Sequence, residues 1–170
     1  MLKKFISISE VYNHRIQFTE IELETIEGTV KRQAGFYAKV HGVDDYQIDV
    51  IGPQYIFSDV FIINKITNYL IENSFMFAIP DRNKKLKICV EFKETKQLLS
   101  LNFSDNGRGI KKEVIDQIFN MYFIGTVNSN GNGLGLYIVK KAAEKLGEEI
   151  KVKSEKDQGA SFHMVLNKKN

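Results

Sequence analysis

The stretch "LLSLNFSDNGRGI", residues 98–110, decides how this chain is read. Leu99, Leu101 and Phe103 alternate with Ser100, Asn102 and Ser104, which is the period of a half-buried strand. Continuing the alternation brings Asp105 out at the strand's end on the apolar side. Carboxylates avoid such a place unless a donor is there to bond them. Asn106-Gly107 has the composition of a β-hairpin turn, yet a helix-like segment, residues 111–119, follows it. The acid therefore reads either as a turn cap at the sheet edge or as part of a site.

Working outward, "LKICVEF" (86–92) alternates in the same way, with Leu86, Ile88, Val90 and Phe92 on one face. A short polar turn joins it to the 98–105 strand, so the two are expected to form an antiparallel hairpin. "EIKVKS" and "SFHMVL" predict a second hairpin at the end of the chain. Between them "LGLYIVKKAAEKL" predicts a helix with Leu134, Ile138, Val139, Ala142 and Leu146 inward and Gly147 as its stop. Upstream, "YQIDVIG" and "YIFS" read as short strands around Gly52-Pro53. Ser58 is the expected cap of a long helix over 59–78. Thr19 is the expected cap of another, with Ile21, Ile26, Val30 and Ala34 inward. Residues 2–14 open the chain as a short amphipathic helix. Helices and mainly antiparallel strands in this order predict an α+β two-layer sandwich, a mixed sheet with helices on one face.

Two further places do not read as plain core. On the long helix Ile62, Ile63, Ile66 and Leu70 form the inward stripe, and Asn73 continues it. An inward amide needs partners, whether protein, water or a metal ion. Glu72 is expected on the solvated side, near Lys65 and Asn68. "GNGLGL" (131–136) opens a helix, where free N–H groups and the helix dipole favour phosphate. It has neither the Walker nor the dinucleotide spacing. The Asn- and Gly-rich stretch 120–133 before it reads as a mobile loop.

The totals restrict the function classes. The chain has 170 residues, 43% of them hydrophobic, enough for one core. A net charge of +3, from 24 basic and 21 acidic residues, argues against a dedicated nucleic-acid binder. One cysteine, Cys89, suits a reducing compartment. No run reaches the roughly 18 apolar residues of a membrane span. The reading is a soluble intracellular domain belonging to a longer protein.

Together the polar places resemble the GHKL ATP-binding family, most specifically the catalytic domain of bacterial two-component sensor histidine kinases. "TNYLIENSFMF" is similar to its Asn box, "DNGRGI" to its first glycine box and "IFNMYF" to its Phe box. "GNGLGLYIVKKAAEKLGEEIKVKSEKDQGASFHMVL" is similar to its second glycine box and closing hairpin. The resemblance implies ATP and Mg²⁺ as cofactors. Asp105 would accept a hydrogen bond from the adenine amino group, with Gly107 and Gly109 turning the chain beside the base. Asn73 would ligate Mg²⁺. Gly131, Gly133 and Gly135 would meet the phosphates, and Ile110, Tyr122, Leu134, Leu136 and Ser161 would complete the nucleotide site. The loop before Leu134 would be a flexible ATP lid.

By the same resemblance residues 1–15 are the tail of a preceding phosphoacceptor helix, and 16–170 are the catalytic domain. The implied reaction moves the ATP γ-phosphoryl group to a histidine on a helical hairpin outside this chain, in cis or from a dimer partner. A response regulator would act downstream. The implied location is cytoplasmic, with a parent kinase of the kind that is often membrane-anchored. His14, His41 and His163 lack the phosphoacceptor setting.

The departures are specific. Tyr69 stands where the family often has an asparagine, Met76 where a lysine is common, and Ile124 where an arginine or lysine often follows the aromatic pair. Ala160 replaces a common Ser or Thr. Fewer cations beside a triphosphate weaken stabilisation of the transferred group. An ATP-binding module with weak or no phosphotransfer is therefore the alternative. An anti-sigma-factor serine kinase or a fragment of an ATPase clamp ranks behind it.

Overall fold

The computed structural model describes residues 2–79, 85–125, 131–147 and 149–167. Strands β4 (Leu86–Glu94) and β5 (Leu98–Asp105) form the hairpin that the alternation implies, with Val90 opposite Phe103 and Phe92 opposite Leu101. On its other side β5 pairs antiparallel with β7 (Ala160–Asn167), which pairs in turn with β6 (Ile150–Ser154). Strand β2 (Tyr46–Ile51) joins the free edge of β4 in parallel. The described residues thus make a five-stranded sheet in the order β2-β4-β5-β7-β6. A parallel neighbour requires a crossover. Here β3 (Tyr55–Ser58) and helix α3 (Val60–Met76) lie between the two strands in the chain.

One face of the sheet carries the core. Val90, Leu101, Phe103 and Met164 are completely buried, as are Ile63 and Ile66 of α3 and Ile138, Val139 and Ala142 of α4 (Gly135–Lys145). Burying one large apolar side chain contributes about 1.5–3 kcal/mol. Helix α2 (Leu23–His41) packs beside α3 and buries Ile26, Val30, Ala34 and Ala38, a strict four-residue stripe. It ends at Gly42, whose φ of 65° lets its N–H turn back to Ala38 O. Helix α1 (Leu2–Asn13) lies against α4, with Ser7 and Val11 buried. The two-layer α+β architecture is the one expected, and among the described residues no helix is long and apolar enough to cross a membrane.

Three local expectations are corrected. Thr19 is no helix cap: Thr19–Glu22 is strand β1, paired antiparallel with β3 so that Ile21 faces Ile56. The pairing partner lies more than thirty residues downstream, and local periodicity carries no trace of it. Ser58 is not the cap of α3 either. It ends β3, while Asp59, in extended conformation, accepts the N–H of Ile62 at 3.0 Å. The helix-like 111–119 segment is a single 3₁₀ stretch, Lys112–Gln117.

Candidate functional site

The site is built where three elements end. β5 runs in the middle of the sheet, so its last residue, Asp105, emerges between β4 and β7, level with Ile88 and Ala160. The carboxylate does have its donors. Oδ1 accepts the Gly107 N–H at 2.9 Å, Oδ2 accepts the Ser74 hydroxyl at 2.9 Å, and the Ala160 N–H bonds the same group. Burial nonetheless pushes its pKa above the ordinary aspartate value, and these donors pull it back only in part.

The Asn-Gly pair after it is not a hairpin turn. Asn106 ties the loop to the start of β4: its Oδ1 accepts the Lys87 N–H at 2.7 Å and its Nδ2 donates to Lys85 O at 3.0 Å. Arg108 N–H bonds Phe77 O at 3.0 Å, and Arg108 O accepts the Asp157 N–H at 2.6 Å. Ile110 N–H reaches Ser154 Oγ, which donates to Gly159 O. The β5 exit and the β6–β7 turn are therefore locked together. Gly109, at φ 63°, fits only because it has no Cβ, which would run into Glu155 O.

A cavity of about 620 Å³ opens beside these turns, a size usual for small-molecule sites. Asn73, Asp105, Gly109, Ile110, Gly131, Gly133, Gly135 and Leu136 all line it. Gly107 lies just behind, donating to Asp105. Leu134 is wholly buried under the start of α4. Tyr122 is half exposed and faces Phe5, while Phe123 beside it lines the cavity. Ser161 is corrected outright. Strand alternation turns it to the other face, opposite Ser104 and Lys153, and Ala160 and Phe162 take the cavity side. The expected lid falls partly outside the described residues, at 126–130. Of its described part, Gly133 O accepts the Tyr122 N–H at 3.0 Å.

Glu72 is also corrected. It is not a solvated residue, for its side chain is 15% exposed and pairs with Lys4 of α1 at 2.8 Å. Sequence reasoning missed Ser74 and Lys4. Ser74 lies four residues past Leu70, so a hydroxyl on the apolar stripe was its signal. Lys4 had none, because its partner is far away in the chain.

The donor set suits a nucleotide. A carboxylate acceptor meets an amino group, an inward amide oxygen meets a hard cation, and a glycine-rich helix start meets phosphate. Among the described residues no group of three or more His, Cys, Asp or Glu could hold a metal ion. A cation bound at Asn73 would thus need further oxygens from its ligand.

Comparison with known proteins agrees with the fold. ArlS, a signal transduction histidine-protein kinase of Staphylococcus aureus (strain USA300), is 29% identical over 95% of this chain and 39% of its own length. The chain thus spans about two fifths of the curated relatives it matches. The solved Acinetobacter baumannii histidine kinase AdeS superposes with a TM-score of 0.75 at 17% identity, covering 99% of this chain and 77% of AdeS. The mycobacterial sensor histidine kinase MprB gives a TM-score of 0.67 at 18% identity, covering 89% and 97%. These two show the fold. The model of the "Histidine kinase-, DNA gyrase B-, and HSP90-like ATPase" family matches residues 59–170, which hold Asn73, Asp105 and both glycine boxes. The chain belongs to that ATPase family, and its domain is homologous to the catalytic domains of sensor histidine kinases.

Proposed function

We propose that this domain binds Mg-ATP and delivers the γ-phosphoryl group to a histidine on a helical domain outside this chain. Asp105 carries the reading. Its half-buried carboxylate faces the cavity with acceptor capacity to spare, and such a group selects an adenine amino group over a guanine carbonyl. Asn73 would supply one amide oxygen to Mg²⁺, a hard cation that such an oxygen suits. The N–H groups at the start of α4, opened by Gly131, Gly133 and Gly135, take the phosphates. Mg²⁺ when bound supplies charge neutralisation between phosphates, and the protein contributes position and a preformed field.

On this reading residues 1–15 end the phosphoacceptor helix and 16–170 are the catalytic domain. The histidine comes from the same kinase, in cis or from a dimer partner, and a response regulator takes the phosphoryl group onward. The domain works on the cytoplasmic side, attached to a membrane-anchored parent.

The test is a calorimetric titration with ATP and GTP, with and without Mg²⁺, on the native chain and on Asp105→Asn. ATP-selective binding lost in the variant supports the reading. Binding blind to the base, or untouched by the substitution, rejects it. Mixing with the parent's histidine-bearing hairpin then tests transfer, where label absent from the histidine leaves only a nucleotide-binding module.

A further inference from the structure

Two residues that line the cavity, Met76 and Ile124, are apolar where a triphosphate calls for cations. A cation reaches the same cavity from elsewhere. Lys4 of α1 lines it, its side chain is 16% exposed, and its Nζ lies 2.8 Å from Glu72 Oε2. That contact is close but off hydrogen-bond geometry, since Glu72 Oε2 has no hydrogen-bond partner among the described residues. An ammonium has three N–H donors, so a contact with one carboxylate oxygen leaves at least two for another acceptor. Nζ also stands 5.5 Å from the centre of the Tyr69 ring.

The position relative to α4 decides what those donors meet. A Cβ placed on Gly135 would lie 3.6 Å from Asn73 Oδ1 and 3.8 Å from Lys4 Nζ. The amide oxygen and the ammonium thus flank the first residue of α4. Arg108, Lys111 and Lys156, also on the cavity wall, belong to the segment after Asp105 and the β6–β7 turn locked to it.

We propose that Lys4 is the phosphate-binding cation of this site, supplying from α1 the charge that Met76 and Ile124 lack. The proposal rests on the Mg-ATP reading above. An ammonium is a compact point charge that donates to any phosphate oxygen without a fixed geometry. Glu72 competes with that phosphate for the same ammonium. Because Lys4 sits on α1, nucleotide binding and the seating of α1 strengthen each other by the same factor. An α1 that swings away takes the cation with it.

Calorimetry with ATP and with adenosine on the whole chain separates this from a purely structural ion pair. Lys4→Met is expected to weaken ATP binding about tenfold or more, and to move adenosine by no more than about twofold. It also flattens the salt dependence of ATP binding, while Lys4→Arg retains most of the affinity. Glu72→Gln, which breaks the pair and leaves the ammonium, keeps or improves ATP affinity. Equal losses for ATP and adenosine in Lys4→Met, or a Glu72→Gln variant that copies its ATP loss, would mean that Lys4 merely seats α1, and the proposal fails. ATP binding that depends on Asp105 and ignores Lys4 overturns this proposal alone. A native chain that binds no ATP overturns the underlying reading with it.

Discussion

Ser74 Oγ lies 2.9 Å from Asp105 Oδ2 and 3.1 Å from Leu70 O. A hydroxyl has one hydrogen, and the nearer, charged acceptor holds it more strongly. The residue after Asn73 on α3 therefore fixes the carboxylate at the end of β5. Removing it in Ser74→Ala leaves a buried oxygen short of a donor, at a cost of about 1–3 kcal/mol. Melting temperature should fall accordingly. ATP affinity should drop about three- to tenfold by calorimetry, because the acceptor is no longer held in place.

Protonation of Asp105 gives stability and binding opposite pH dependences. Burial raises its pKa above 3.8. In the window between that value and the raised one, the folded chain keeps a proton that the unfolded chain has lost. The contribution of this group to stability is thus full below the window, declines as pH rises through it and is constant above. Affinity for an adenine amino group runs the other way, falling as pH drops through the raised pKa, since only the carboxylate is a pure acceptor. Titrations across this range on the native chain and on Asp105→Asn should show the pH dependence in the first and its absence in the second.

Asp59 has the reverse sign. Desolvation opposes its charge, but the Gln17 N–H, His14 and the Ile62 N–H outweigh that and lower its pKa. Its carboxylate caps α3 and also bonds His14 Nε2 at 2.7 Å, whose ring stacks on Phe61. The stability it contributes is present above 3.8 and is lost as pH falls through the lowered value. Asp59→Ala should destabilise the domain by about 2 kcal/mol, because the helix cap is lost and the Gln17 N–H is left without its acceptor. Chemical denaturation at neutral pH and in acid should show that difference shrinking as the medium becomes more acid.

Two glycine substitutions should act in opposite directions. Gly109→Ala places a Cβ against Glu155 O at a φ of 63°, and should cost about 3 kcal/mol or more together with the nucleotide site. Gly28→Ala, inside α2 with nothing within 4 Å of the added carbon, should stabilise by about 0.5–1 kcal/mol. Denaturation midpoints of the two variants check both signs.

Restoring a cation at Met76 should make Lys4 partly redundant. Both residues line the same cavity. Met76→Lys is expected to raise ATP affinity several-fold, and to shrink the ATP loss caused by Lys4→Met in the double variant. Strict additivity in that cycle would mean that the two positions serve different parts of the ligand.

The sequence was most legible where the pattern was local. Alternation in 86–105 and the four-residue stripes of α2 and α4 gave the hairpin, the helices and their buried faces. Asp105 stood out because an acid continued an apolar face. What stayed hidden depended on distant partners. β1 needed β3, the parallel placement of β2 needed the edge of β4, and Lys4 needed Glu72 across a helix interface. Ser161 was misplaced for a different reason. A family habit expects a hydroxyl directly after the glycine, whereas here Ala160 follows Gly159 and strand register sets it opposite Asp105.

Strand β7 is synthesised after every other part of the pocket, yet it pairs with β5 along its whole length and brings Ala160 and Phe162 to the cavity. A nascent chain that has not yet made β7 has its central strand open along one edge and a carboxylate short of one donor. Nucleotide stabilises a fold only by binding it, so it cannot assist that intermediate on the ribosome. Its help comes only to finished domains, and before then the half-built sheet presents an unpaired edge to other chains.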